Sequence, residues 1–216
     1  MGLVIVIAGW AGPVPFHQWF SFEVVIAVAA PADEADELRF PDEPPPEPQS
    51  YKLDNYRSIV PLTLSGATVV SDAEAFKLYE RGDVVFIDVM PFVPRPPNLP
   101  KGMIWRDKKR ANIKGSSWLA NVGYGRLPDE MARYFKTHLK RLSSGDFEKP
   151  LLFYCQKDCW MSWNAAKRAL QYGYQNVYWY PDGTDGWVTV GGSVVAAKPL
   201  PLPDMTRALK PASKKD

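Results

Sequence analysis

The chain is read as an α/β protein with a mainly parallel sheet of about five strands, near the usual average, flanked by helices. The stretch Leu151 to Gly173 carries the first reason: an apolar run, Leu151 to Tyr154, follows Pro150 and passes into Cys155, a short loop and a helix. A run that is apolar throughout belongs to a strand buried on both faces, as in a parallel sheet. Asp83 to Val89, DVVFIDV, is a second such run, closed by a polar residue that puts Asp88 at the strand's C-terminal edge. The third reason is order. Apolar runs alternate with segments of helical spacing, which implies right-handed crossovers between parallel strands.

Length and charge bound the rest. The 216 residues suffice for one ordinary domain with extensions. Basic and acidic residues, 26 and 24, are interspersed and net to +2, and no recognition motif appears, so nucleic acid is not an expected partner. Residues 1–30 are nearly free of charge, hold the apolar run Leu3 to Ala8 and end in Ala27, Val28, Ala29 and Ala30. This pattern predicts a signal segment, cleaved after the A-x-A at Ala27 to Ala29, and hence an exported protein. It departs from the usual signal in having no Lys or Arg before Arg39 and in the interruptions at Pro13, Pro15 and His17. No stable membrane span is expected, because Val24 to Ala30 is too short and prolines break Leu3 to Trp19. Residues 31–50, rich in proline and acidic side chains, read as an extended linker. The domain is expected over 51–197 and a Pro- and Lys-containing tail over 198–216.

Within the domain, Ala67 to Val70 reads as a short strand. Ser71 and Glu74 stand at the spacing of a capping box, so a helix follows to Arg81 and stops at Gly82. Asp88 then either orders a neighbouring loop by accepting backbone N–H bonds or only caps. Met90 to Gly125 has little periodicity and many prolines and is read as a long loop. Its basic run, Arg106, Lys108, Lys109 and Arg110, suits either an anionic substrate or a solvated face. Asn112 to Leu119 leads into Pro128 to Leu142, where Met131, Tyr134, Phe135, Leu139 and Leu142 fall at helical spacing. Ser162 is read as the N-cap of the helix after Cys155, with Ala165, Ala166, Ala169 and Leu170 on its apolar stripe and Gly173 as its stop. Val177 to Tyr180 is another strand. The glycines of Pro181 to Gly192 suit a turn-rich loop closing over the Cys155 loop.

The chemistry centres on Cys155 and Cys159, the chain's two cysteines. A strand-to-helix crossing aims loop amides and a helix N-terminus at its occupant and favours an anion, so a thiol there becomes a nucleophilic thiolate. A cysteine that merely packs is the alternative. A disulfide closing so small a ring would constrain the unfolded chain little, which favours reactive over structural cysteines. Structural zinc is not expected, because such a site needs about four N or S ligands and the chain has two Cys and two His, one of the histidines, His17, within the signal segment. The haem motif C-x-x-C-H is absent, and His138, mid-helix, is no evident base for Cys155.

The region from Thr68 to Val194 resembles a rhodanese domain. The matching segments are SDAEAFKLYERGDVVFIDV, NIKGSSWLAN, the nucleophile strand LLFYC and the closing segment NVYWYPDGTDGW. CQKDCWMSWNAAKRA and VYWYPDGTDGW are similar to the C-x3-C-W motif proteins associated with quinoprotein, PQQ-dependent, alcohol catabolism. The resemblance implies a rhodanese-like fold and, through the link to quinoprotein oxidation, a periplasmic setting, and it gives Cys155 the position that carries persulfide sulfur in sulfurtransferases. Asp158, Cys159, Trp160 and Met161 stand where such loops usually hold a glycine and a later arginine, which puts thiosulfate transfer in doubt. The expected site is therefore Cys155 as nucleophile and Cys159 as resolving thiol, with Asp88, Asp158, Trp160 and Ser162 around the substrate. Trp160 is expected to line the site because a large side chain in a tight loop is hard to bury fully. The expected partner is a small sulfur donor or a redox protein, by resemblance one of a quinoprotein dehydrogenase system; no tightly held cofactor is implied, and PQQ enters by association alone. The alternative function is a non-enzymatic module that binds a small molecule or partner with the same loop.

Overall fold

The computed structural model describes residues 43–96, 98–106 and 108–203. The signal segment read over 1–30, most of the linker and the end of the tail lie outside the described residues. The chain divides into two units, 1–40 and 41–216, and everything described belongs to the second.

Among the described residues eleven elements follow in order: β1 (Thr68–Val69), α1 (Asp72–Arg81), β2 (Val85–Asp88), β3 (Arg110–Ile113), β4 (Ser117–Trp118), α2 (Asp129–Leu142), β5 (Leu151–Tyr154), α3 (Trp160–Gln171), β6 (Val177–Tyr180), α4 (Gly183–Thr189) and β7 (Val194–Ala197). Five strands form one sheet in the order β1-β6-β5-β2-β4, and every pairing in it is parallel. The continuous apolar runs become its centre. All four residues of β5 are buried, flanked in register by β2 and β6, with Phe153 opposite both Ile87 and Trp179.

Side chains alternate across the pleat and build two cores. Leu151, Phe153, Ile87, Val177 and Trp179 meet α2 and α3 on one face. Leu152, Tyr154, Phe86 and Tyr180 meet Ala75 and Leu78 of α1 and Trp187 of α4 on the other. Fully burying one such side chain stabilises by about 1.5–3 kcal/mol, and truncating Phe153 to alanine would cost about 3–5 kcal/mol once the cavity is counted. The capping box of α1 forms as its spacing predicts: the Glu74 amide donates to Ser71 Oγ, and Glu74 Oε2 accepts from the Ser71 amide at 2.8 Å. Gly82, at φ 73, closes the helix in the left-handed conformation.

Four expectations are corrected. The long loop over 90–125 contains β3 and β4, because its second half finds backbone partners: β4 extends the sheet beside β2, and β3 pairs antiparallel with β7 in a separate two-stranded sheet. The closing segment is not a run of turns but contains helix α4. It does meet the cysteine loop, through a bridge between Gln156 and Gly183 and a bond from the Lys157 amide to Asp185 Oδ2 at 3.1 Å. The N-cap of α3 is Cys159, and Ser162 sits inside the first turn. Finally, the start of the tail packs: Leu200 donates its N–H to Trp118 O, accepts from Tyr134 Oη, and rests against the core. Among the described residues no helix is long and apolar enough to cross a membrane.

Candidate functional site

Parallel strands bring their C-terminal ends to one edge, so Asp88 and Cys155 emerge side by side. Asp88 is fully buried. Its Oδ1 accepts from the Met90 amide at 2.8 Å and its Oδ2 from Arg110 Nε at 2.8 Å. Of the two roles left open for it, loop ordering is the one it fills, and it orders both the chain leaving β2 and the strand β3. Burial pushes its carboxyl up, against the pull of Arg110 and the Met90 amide.

Arg110 ends the basic run, and the expectation of a solvated face fails at this residue. Its side chain is 11% exposed, because only here can it answer a buried carboxylate. Besides Asp88 it donates through Nη1 to Thr184 Oγ1 at 3.2 Å and through Nη2 to the Cys155 carbonyl at 2.8 Å. That carbonyl also accepts from the Thr184 amide at 3.2 Å and the Thr184 hydroxyl at 3.3 Å. One planar guanidinium thus ties β2, β3, α4 and the cysteine loop together.

The loop carries two free thiols. Cys155 is 0% and Cys159 2% exposed, and their Sγ atoms are 2.7 Å apart. A disulfide spans about 2.05 Å, so the pair is unbonded but needs little movement to join. Asp158 lies between them at φ 53, a conformation Asp tolerates better than most residues, and this bends Cys159 back toward Cys155. The Met90 Sδ is 3.4 Å from Cys155 Sγ on the other side.

The two thiols are driven apart in acidity. Burial pushes Cys155 up, and Cys159 and Asp88 add to this while Arg110 opposes. Cys159 falls from 9.0 to about 7, first because the Cys155 thiol donates to its sulfur; burial works against this, and the Met161 amide and Arg57 assist. The Met161 contact falls short of a full cap hydrogen bond, yet it places Cys159 at the positive end of α3. The helix N-cap is thus held by Cys159, four residues after the strand end that carries Cys155.

An arginine reaches the loop from a distant part of the chain. Arg57 donates through Nη1 to Lys157 O at 2.7 Å, and the Gln156 amide, its oxygen turned toward the guanidinium, accepts from Nε at 3.0 Å and Nη2 at 2.9 Å. No sequence signal pointed to Arg57, which lies about a hundred residues from the loop. Tyr124 stands on the same side; burial pushes its hydroxyl up, with Tyr56 and Cys159 adding to the effect.

Trp160 and Ser162 do not line an opening. Trp160 is 3% exposed, because its ring packs against Trp163 with centroids 5.5 Å apart and its Nε1 donates to Ser58 Oγ and Ile59 O at 3.0 and 3.1 Å. Ser162, fully buried, donates to Cys159 O at 3.1 Å and accepts from Trp179 Nε1 at 3.0 Å, leaving no open face for a substrate. A cleft of about 350 Å³ opens next to the loop, lined by Met90, Lys108, Lys109, Arg110, Trp118 and Thr184 among others. Met90 alone of these also touches a cysteine sulfur. No histidine is among the groups that shift either thiol. Among the described residues no three His, Cys, Asp or Glu are placed to hold a metal.

The sequence profile of the rhodanese-like domain matches residues 71–189, more than half of the chain. The chain belongs to the rhodanese-like domain family. Among solved structures this rhodanese-like chain is similar to the polysulfide-sulfur transferase homodimer from Wolinella succinogenes, at 22% identity over 61% of this chain and 80% of that one, with a TM-score of 0.39. It is also similar to an uncharacterized protein from Saccharomyces cerevisiae, at 20% identity over 59% and 95% of the two chains, with a TM-score of 0.37. No curated protein matches it. The segment that supplies Arg57 lies before the matched region of the rhodanese-like domain, so the site draws on residues outside it.

Proposed function

We propose that the protein is a thiol enzyme that takes sulfur from, or reduces, a small sulfur compound, with Cys159 as attacking thiolate and Cys155 as resolving thiol. The observation that carries this is the 2.7 Å contact between the sulfurs together with the negative charge it favours on Cys159. The assignment exchanges the roles expected from the family resemblance.

The chemistry balances without a cofactor. Cys159 S⁻ attacks one sulfur of R–S–S–R′, forms a mixed disulfide and releases R–S⁻, which takes up a proton. Cys155 loses its proton to solvent and attacks Cys159 Sγ, closing the intramolecular disulfide and releasing R′–S⁻. With a persulfide donor, R–S–SH, attack on the outer sulfur leaves Cys159–S–S⁻, and Cys155 then releases hydrosulfide. In both cases the substrate gains two electrons, and a dithiol partner must return two to the pair. We place this in the periplasm, in support of a PQQ-dependent alcohol oxidation system. The C-x3-C-W resemblance and the signal-like composition of residues 1–30 support that setting.

Mass spectrometry after mixing with a persulfide donor or a disulfide tests the assignment. Cys159→Ser is expected to abolish reaction, and Cys155→Ser to accumulate one added sulfur, or a mixed disulfide, on Cys159. The mirror-image result would return the attacking role to Cys155. If both variants remain unmodified and the wild type does too, the loop is a binding module and the thiol reading is wrong.

A further inference from the structure

The excursion over 91–109 leaves the sheet edge beside Cys155 and returns to it, and both its ends are pinned. At the outgoing end Trp118 Nε1 donates to Met90 O at 2.7 Å, and Asn121 accepts from the Phe92 amide at 2.9 Å while donating to the Phe92 carbonyl at 2.8 Å. At the returning end Arg110 is held by Asp88 and the Cys155 carbonyl. Prolines 91, 94, 96 and 100 restrict the backbone between these points.

A turn presents the tip. The Met103 amide donates to Pro100 O at 3.1 Å, and Gly102, at φ 89, takes the left-handed position that such a turn reserves for glycine. Just past it Met103 is 61% and Ile104 82% exposed, two adjacent large apolar side chains facing water. The same stretch of sequence holds Arg95, Lys101, Arg106, Lys108 and Lys109 and one acidic residue, Asp107. By sequence, residues 91–109 net +4, against +2 for the whole chain.

An apolar tip with cations on both sides is the pattern that seats at the headgroup level of a bilayer: the apolar groups enter the acyl boundary and the cations meet phosphates. We propose that loop 91–109 docks the protein on an anionic lipid surface through Met103 and Ile104, with Lys101 and Arg106 among the cations at the phosphates. A spread of cations along the loop fits a surface of spread negative charge better than it fits one groove in a protein. Because Met90 and Arg110 bound the excursion and both touch Cys155, docking would hold the cysteine edge near the membrane.

The test uses the full chain and vesicles of phosphatidylglycerol with phosphatidylcholine, compared with phosphatidylcholine alone. Wild type is expected to partition at least about tenfold more strongly onto the anionic vesicles, and the preference to fade at high salt. Met103→Ser with Ile104→Ser, and separately Lys101→Glu with Arg106→Glu, are expected to remove that preference while the rate of thiol alkylation stays at the wild-type value, which shows an intact fold. Wild-type partitioning by both variants would overturn the proposal by moving the contact elsewhere in the chain. Equal wild-type affinity for both vesicles, or for neither, would overturn it too, the latter leaving the tip to a protein partner.

Discussion

At the scale of single residues, two thiols with the same chemistry differ because of where their sulfurs sit. Cys155 follows a buried strand, with Cys159 and Met90 against its sulfur, and burial first, then Cys159 and Asp88, keep its proton on against Arg110. Cys159, four residues on, caps a helix and receives the Cys155 S–H, the Met161 amide and Arg57. The split has a consequence for stability with a definite sign. A thiol lowered to about 7 from 9.0 stabilises the fold above its unfolded value, and this stability is lost as pH falls through about 7. A thiol raised by burial contributes fully below its ordinary 9.0 and loses that contribution as pH climbs beyond it. Reduced wild type, compared by urea unfolding with Cys155→Ala/Cys159→Ala, should therefore gain relative stability from pH 7 to about 9 and lose it above. A flat difference across that range would show that the charge separation is not there.

At the scale of elements, the site is held by clasps whose partners lie far apart in sequence. Arg110→Ala would strand the buried Asp88 carboxylate and free the Cys155 carbonyl of one donor, and breaking such a pair is expected to cost about 3–5 kcal/mol in urea unfolding. Adding Asp88→Asn should recover part of that loss, because the uncompensated charge is gone. A cost for Arg110→Ala below about 1 kcal/mol would make it an ordinary surface ion pair. The parts of this architecture legible in sequence were those with a short-range signal. β2, β5 and β6 announce themselves as apolar runs, α1 by its Ser71–Glu74 box, and the reactive loop by the cysteine spacing. β3 and β7 carry no such signal, because only Ile113 of Arg110–Ile113 brings an apolar side chain to the core and Val194–Ala197 is largely exposed, so that their pairing is with each other across a long stretch of chain. Ser162 was misread because serine is a good cap in isolation, whereas here the turn begins three residues earlier and the hydroxyl serves Trp179. Trp160 was expected at an opening, yet hydrogen-bond partners on a distant segment, Ser58 and Ile59, let it be buried.

At the scale of the molecule, that same segment makes the folded unit larger than the region matched by the family. Residues 51–64 run along α3 and complete its outer face. Asn164 accepts from the Lys52 amide at 3.0 Å and donates to the Lys52 carbonyl at 2.9 Å, while Trp163 Nε1 donates to Thr63 O at 3.1 Å and the Trp160 amide to Tyr56 O at 2.9 Å. Val60 and Leu64 enter the core formed by α2, α3 and the sheet. Removing the segment would leave the indole N–H groups of Trp160 and Trp163 without their partners, at about 1–3 kcal/mol each if they stay buried, besides the loss of two core side chains. These losses rival the net stability of about 5–15 kcal/mol usual for a domain. A chain beginning at Ser65 is therefore expected to melt far below the full-length protein or to aggregate on expression, although it retains all of 71–189. Were it to melt within a few degrees of full length, the segment would be an appendage, and the Arg57 contribution to Cys159 would have to be tested as an effect of charge alone.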